Sequence, residues 1–405
     1  METKQGDFIV LGMNKTGTFD VGIVKAGHIT AIGTFSEGMK LEERNSLVDT
    51  MRSHGTKSAD GAISIEPGIC LELSFEHIEK GMLVNARFIS FKFHAHWKDC
   101  TWERMILSLT GPPDIKLTHP EKIMWTKPAI NKGEMIEYLA QAGPFMLPFL
   151  KDKRLTTIRF PDGIEGEAFF QKNCPAYAPD FIEVSGAEGI QYIVCNSLNT
   201  LVWLGNQAAI EFHVPFQTIQ DAKPNEIVFD LDPPSRDAFP LAIKAALMMK
   251  GIFEGFGICS FPKLSGSKGI QIHIPIASTG LTYMHTKEFT QFIATFLSEQ
   301  HPDSFTTERL KKNRKGRLYL DYVQHAEGKT IIAPYSPRGK IGATVAVPLY
   351  WDELQMDLRM EDYTIRSVLD RLSTTECPMA HYFEQDNSIL IQLIEHIKEK
   401  RKSTP

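Results

Sequence analysis

Three aspartates and a short glycine-serine loop carry the residue types and spacing for chemistry on phosphates. In Phe229-Asp230-Leu231-Asp232-Pro233-Pro234 an apolar run, Ile227 to Phe229, leads into a Pro-Pro turn, so the stretch reads as the end of a buried strand. Strand side chains alternate, which puts Asp230 and Asp232 on one face and Leu231 on the other. Adjacent carboxylates repel unless a cation sits between them, and Mg²⁺ or Mn²⁺ takes oxygen ligands. Taken alone, an Asp-x-Asp favours two solvated aspartates. A third acid changes that balance. In Arg317-Leu318-Tyr319-Leu320-Asp321-Tyr322 the alternation puts Asp321 and Tyr319 on one strand face, and a mid-strand carboxylate is costly to bury unless it is paired or bound to metal.

Ser265-Gly266-Ser267-Lys268-Gly269 precedes a strict alternation in which Ile270, Ile272, Ile274 and Ile276 make one face. Gln271 and His273 therefore point together to the other side. The loop offers backbone N–H, hydroxyl and ammonium donors to a phosphate, although such loops are more often plain tight turns. It is not a Walker A sequence, because a strand follows where a helix should begin. Together with the basic residues these pieces predict metal-assisted chemistry on a polyphosphate, and nucleotidyl transfer is one reaction they could serve. A two-metal site of Asp230, Asp232 and Asp321 would activate a primer 3′-hydroxyl and neutralise a triphosphate, with no nucleophilic protein side chain.

These residues need elements to hold them. The chain of 405 residues has room for two or three domains. Its formal charge of −5 excludes coating nucleic acid by bulk charge, though not a local basic groove. Six cysteines without a Cys-x-x-Cys pair predict reduced, mostly buried thiols. The absence of a long apolar run or a secretory signal pattern predicts a cytoplasmic protein with no membrane partner. Residues 7–34 and two segments beginning at Cys70 and Ala86 pattern as short antiparallel strands around a helix, Leu41 to Met51. That fits a small β-barrel of the OB type. Gly111-Pro112-Pro113 marks a linker over 111–116, dividing 1–110 from 117–405. Beyond it, helices are predicted over Lys132 to Ala142, stopped by Gly143-Pro144, over Pro240 to Met249, and around Phe289 to Leu297. Lys311 to Arg317 is a basic cluster running into a strand, and the Lys398 to Lys402 tail reads as a frayed end.

The first 110 residues, through "GIVKAGHITAIGTF" and "CLELSFEHIEKGMLVNARFISFK", resemble the C-terminal OB domain of ATP-dependent DNA ligases. A ligase also needs an adenylation lysine in Lys-x-Asp-Gly. Lys57-Ser58-Ala59-Asp60-Gly61 has one residue too many, so ligation is not expected from this chain alone. From about Lys116 to Leu354 the order "RFPDGIEGEAFFQKNCPAYAPDF", "LVWLGNQAAIEFH", "VFDLDPP", "KLSGSKGIQIHIPI", "LYLDYVQ" and "IIAPYSPRGKIGATVAVPLYWDEL" resembles the polymerase domain of bacterial ligase D, in the archaeo-eukaryotic primase superfamily.

The resemblance implies an α+β, primase-type (RRM-like) domain with mixed and antiparallel sheets. It implies Asp230, Asp232 and Asp321 as catalytic metal ligands, and Ser265, Lys268 and Arg338 at the nucleotide triphosphate, with His213 nearby. Many members have His where this chain has Gln271, so Gln271 serves as a phosphate donor there or His273 replaces it. Lys122 and Lys132 match lysines that hold a 5′-phosphate, and Phe169 and Phe170 match aromatics on which template bases stack. Arg314 and Gln324 would be further contacts near template or nucleotide. The implied activity is end-extending, gap-filling DNA polymerisation in non-homologous end joining of double-strand breaks, using NTP or dNTP with Mn²⁺ or Mg²⁺. The implied partners are DNA ends with a recessed or gapped 5′-phosphate, Ku and a DNA ligase domain, in a nucleoid-associated bacterial setting. A catalytically weakened remnant that only binds DNA ends is the alternative, and a nucleotide-sugar transferase has only the bare Asp-x-Asp in its favour.

Overall fold

The computed structural model describes residues 3–25, 28–79, 81–93, 95–102, 104–105 and 115–403. Gly111-Pro112-Pro113 lies outside them. The chain divides into two compact units, Met1–Glu121 and Lys122–Pro405.

In the first unit, β1 (Lys4–Met13), β2 (Phe19–Lys25) and β3 (His28–Phe35) form a meander, and α1 (Leu41–His54) leads to β4 (Cys70–Phe75) and β5 (Arg87–Phe91). Alternation along β4 buries Leu71 and Leu73 completely, whereas β1 buries the consecutive Phe8, Ile9 and Val10, being covered on both faces. The long β1 pairs with both β2 and β4, and β4 pairs with β5. The ends of this path meet at a single parallel bridge, Glu37 to Arg87, where Phe88 N–H donates to the Glu37 carbonyl at 2.9 Å. A continuous ladder does not close the sheet into the expected barrel.

The second unit is mixed α+β. It opens on α2 (Lys132–Leu150), followed by β6 (Thr156–Arg159), β7 (Phe169–Gln171), α3 (Leu198–Asn206) and β8 (Ala209–Pro215). Then come β9 (Glu226–Asp232), α4 (Phe239–Gly255), β10 (Phe261–Leu264), β11 (Ile270–Pro275) and α5 (Tyr283–Gln300). Two short strands, β12 (Phe305–Thr306) and β13 (Leu318–Asp321), precede β14 (Thr330–Ile332), and α6 (Ile365–Thr374) and α7 (Ile389–Ser403) end the chain. One sheet runs β7-β6-β8-β14 and the other β10-β11-β9-β13-β12, antiparallel except for β12 beside β13. Within the second sheet, the order β13-β9-β11-β10 around α4 and α5 is the βαββαβ arrangement expected of an RRM-like domain. Phe229 of β9 packs against Phe253 and Phe289 of the two helices, with ring centroids 5.6 and 6.0 Å away. Alternation therefore sends Asp230 and Asp232 to the opposite face, away from the helices.

Two expectations are corrected. α2 does not stop at Gly143-Pro144 but runs through Pro144 and Pro148 to Leu150. Each proline forfeits a helix hydrogen bond, yet Met146, Phe149 and Leu150 are buried by the continuation, and that burial outweighs the loss. Gly143 lies where α3 comes close, since a Cβ there would sit 2.4 Å from Leu198 Cδ1. The basic tail is not frayed. It is the end of α7, with Arg401 Nη1 3.2 Å from Glu288.

Candidate active site

β9, β11 and β13 bring the sequence's chemistry onto one sheet face. Asp230 lies in register with Asp321 on one side and with Gln271 on the other, and Gln271 lies beside Lys263 of β10. The four side chains form a row across the sheet: Lys263, Gln271, Asp230, Asp321. Gln271 Nε2 donates to Asp230 Oδ1 at 3.2 Å, and Lys263 Nζ donates to Gln271 Oε1 at 2.5 Å. Burial, with the charges of Asp232 and Asp321 adding to it, pushes the Asp230 carboxyl up to about 6.

Asp232 is engaged by cations of the protein itself. Lys268 Nζ is 2.8 Å from Oδ1 and Arg314 Nη1 is 3.5 Å from Oδ2. The Arg314 guanidinium lies 4.0 Å from the centre of the Tyr319 ring and donates to the Glu308 and Arg309 carbonyls. Asp321 Oδ1 accepts from the N–H groups of Val323 and Gln324 at 3.1 and 2.9 Å, and from the Tyr319 hydroxyl. With the carboxylates so engaged, no three His, Cys, Asp or Glu side chains among the described residues converge to chelate an ion as they stand. Their chemistry nevertheless fits a hard divalent cation: the donors are all oxygens on one face, and the raised Asp230 is short of positive charge.

The loop between β10 and β11 differs from the expected open phosphate cradle. The N–H groups of Ser267, Lys268 and Gly269 all donate to Ser265 Oγ, at 3.2, 3.3 and 3.0 Å. Gly266 has φ +68°, and a Cβ there would meet Arg338 Cγ and the Val345 backbone at 2.8 Å, so only glycine allows this approach. Across the cleft, Glu211 of β8 holds two expected nucleotide contacts. Its carboxylate is 3.0 Å from His213 Nε2 and 3.4 Å from Arg338 Nε, and accepts from Gly339 N–H at 3.0 Å. Burial opposes the Glu211 charge, but His213 and Arg338 outweigh it and hold the carboxyl below its ordinary range. Burial lowers the His213 pKa, against the raising effect of Glu211. Arg338 Nε, although at ion-pair distance, has no hydrogen-bond partner among the described residues. Asp230, Asp232, Ser265, Lys268, Gln271, Gln324, His213 and Arg338 all line one cleft of about 210 Å³.

His273 is not brought to that cleft. It is 2% exposed, with Nδ1 2.9 Å from Glu226 Oε2, in a buried cluster with Lys153 and Tyr382. Lys122 is half-buried and 2.9 Å from Asp162. Lys132 N–H donates to the Lys122 carbonyl at 2.8 Å, but its own side chain is buried and donates to the Asn206 carbonyl at 3.1 Å. Phe169 and Phe170 stand 42% and 72% exposed on β7, with the Arg159 guanidinium 5.2 Å from the Phe169 ring. Sequence reasoning assigned no role to Lys263 or Glu211. The available signal was parity: Lys263 is two residues before Ser265 in a short apolar strand, hence on the same face.

Residues 131–379 match the family described as LigD, primase-polymerase domain. The chain is 43% identical over 400 residues to a bifunctional non-homologous end joining protein LigD of Bacillus subtilis, covering 98% of this chain and 66% of that protein. A multifunctional non-homologous end joining protein LigD of Mycolicibacterium smegmatis is 31% identical over 265 residues, covering 64% of this chain and 34% of that protein. The solved polymerase domain of Mycobacterium tuberculosis ligase D, in complex with DNA, superposes with a TM-score of 0.63 at 27% identity, covering 67% of this chain and 98% of that one.

Proposed function

The chain belongs to the LigD primase-polymerase family, and on that premise we propose that it is a DNA-directed nucleotidyltransferase filling and extending broken ends in non-homologous end joining. The observation that carries this is the in-register pair Asp230 and Asp321 on neighbouring strands, with Asp230 and Asp232 lining one cleft with Ser265, Lys268 and Arg338. Asp230, Asp232 and Asp321 would hold Mn²⁺ or Mg²⁺, which when bound supplies charge neutralisation at the triphosphate and a more acidic primer 3′-hydroxyl. Ser265 and Arg338 then bind triphosphate oxygens, Arg338 Nε supplying a donor that has no hydrogen-bond partner among the described residues. Lys268 reaches the same anion by leaving Asp232. Gln271 holds Asp230, His213 lies near the nucleotide, and Arg314 and Gln324 border it. His273 supports the sheet from within.

Phe169 and Phe170 stack unpaired template bases, a role suited to aromatics this exposed. Lys122 and Lys132 bind the 5′-phosphate, Lys132 after its ammonium leaves the Asn206 carbonyl. The substrates are NTP or dNTP and a recessed or gapped DNA end, with Ku and a ligase domain as partners. Residues 1–110 are a ligase-type OB domain. Labelled NTP or dNTP supplied with Mn²⁺ to gapped DNA bearing a 5′-phosphate tests the activity. Incorporation lost in Asp230→Ala is the expected result. No incorporation by the unaltered chain, or full incorporation by the variant, sinks it. The ion pairs on Asp232 favour a second reading, an end-binding protein without turnover, which DNA binding without any metal-dependent incorporation would establish.

A further inference from the structure

Lys263 is a buried cation that the activity has not yet used. Its side chain is 0% exposed, and its ammonium donates only to neutral oxygens, Gln271 Oε1 at 2.5 Å and the Ile332 carbonyl at 3.1 Å. Burial lowers its pKa to about 7. Asp230 and Glu226 favour its charge only through space, without an ion pair, and an ammonium buried so is costly, where an apolar residue would serve the strand better. Its position says what it does instead. Lys263 ends the row that runs through Gln271 to Asp230 and Asp321. A carboxamide has one acceptor end and one donor end. With an ammonium at Oε1, only Nε2 can face Asp230. Without it, the amide is free to turn over and set its oxygen against the carboxylate.

We propose that Lys263 is a positioning residue: it fixes the Gln271 amide so that Nε2 holds the Asp230 carboxylate in the orientation a divalent cation requires. This rests on the reading of Asp230, Asp232 and Asp321 as metal ligands. The test is Mn²⁺ binding to the full chain, followed by the electron paramagnetic resonance signal of the free ion, with incorporation on gapped DNA measured in parallel. Gln271→Met removes both ends of the amide and is expected to weaken Mn²⁺ about tenfold, the low end for outer-shell partners. Lys263→Met should reproduce most of that loss. The double variant should bind no more weakly than Gln271→Met alone, because Lys263 acts through Gln271. The Mn²⁺ concentration for half-maximal rate should move far more than kcat at saturating Mn²⁺.

A neutral imidazole also has one acceptor and one donor nitrogen, so Gln271→His should bind within about twofold of the unaltered chain. Lys263→Met with unchanged Mn²⁺ affinity overturns the proposal, as does a double variant whose losses multiply. Thermal unfolding checks that Lys263→Met folds. If it does not, the comparison of Gln271→His with Gln271→Met decides, and equal losses overturn the proposal. An unaltered chain that binds no Mn²⁺ overturns it as well. A chain that binds Mn²⁺ but incorporates nothing removes the polymerase reading, while the affinity comparison still decides the role of Lys263.

Discussion

Asp230 is held where burial and two neighbouring carboxylates all oppose its charge, and the Gln271 amide favours it. On the proposed chemistry Asp230→Asn removes a metal ligand worth several kcal/mol, so single-nucleotide incorporation should fall about a thousandfold. A loss under tenfold would count against the assignment. Phe170 makes a different case. At 72% exposure it contributes little to the core, so Phe170→Ala should leave the unfolding temperature unchanged. It should weaken binding of gapped DNA with unpaired template bases by about 1–3 kcal/mol, as fluorescence anisotropy would read. The aspartates were legible in the sequence because strand parity alone assigns their faces. Lys263 and Glu211 were not: parity gives the face of Lys263 but not the register across β10, β11 and β9 that sets it beside Gln271, and the partners of Glu211, His213 apart, come from the distant Arg338-Gly339 segment.

Between elements, the loop joining β10 to β11 fits its neighbours without slack. A Cβ on Gly269 would lie 2.3 Å from the Leu231 carbonyl, between the two aspartates of β9. Backbone cannot yield as a side-chain tip does. Gly269→Ala should therefore cost about 1–3 kcal/mol in urea unfolding and lower incorporation at fixed Mn²⁺. A variant as stable and active as the unaltered chain would contradict this packing. His325, after β13, ties that segment to α5 through Thr286 Oγ1 at 2.9 Å. Burial lowers its pKa from the ordinary 6.5 to about 4. A depressed folded value means stability is complete above pH 6.5 and is lost as pH falls toward 4. The loss is on the order of 3 kcal/mol. Urea midpoints between pH 7.5 and 4.5 should show it, and His325→Gln should flatten that slope. The strands β9, β11 and β13 and the helices α4 and α5 were readable in order, but β10, only four residues long, was not. The run of α2 through Pro144 and Pro148 was not, since a local stop signal was overruled by burial that only the tertiary fold supplies.

At the scale of the whole molecule, the candidate site draws every cleft residue from the second unit, Lys122–Pro405. That unit contains the complete row from Lys263 to Asp321 and both sheets. Produced alone, residues 122–405 should unfold in one cooperative transition and keep metal-dependent incorporation within several-fold of the full chain. Failure to fold alone would mean that the first unit is part of the catalytic body. The first 110 residues were legible as β-rich with one helix. Their closure at the single Glu37–Arg87 bridge was not, because which strand ends meet is decided by sheet curvature, not by periodicity.

The pairing of Lys268 with Asp232 has a thermodynamic corollary. One ammonium cannot neutralise two anions, so Lys268 must release Asp232 before it can serve a triphosphate. On the proposed reading, a divalent ion and a nucleotide therefore cooperate even where they share no bond. Whatever factor the ion adds to nucleotide affinity, the nucleotide must return to ion affinity, since linkage is reciprocal. Lys268→Met should uncouple the two, leaving each affinity less dependent on the other's concentration in paired titrations.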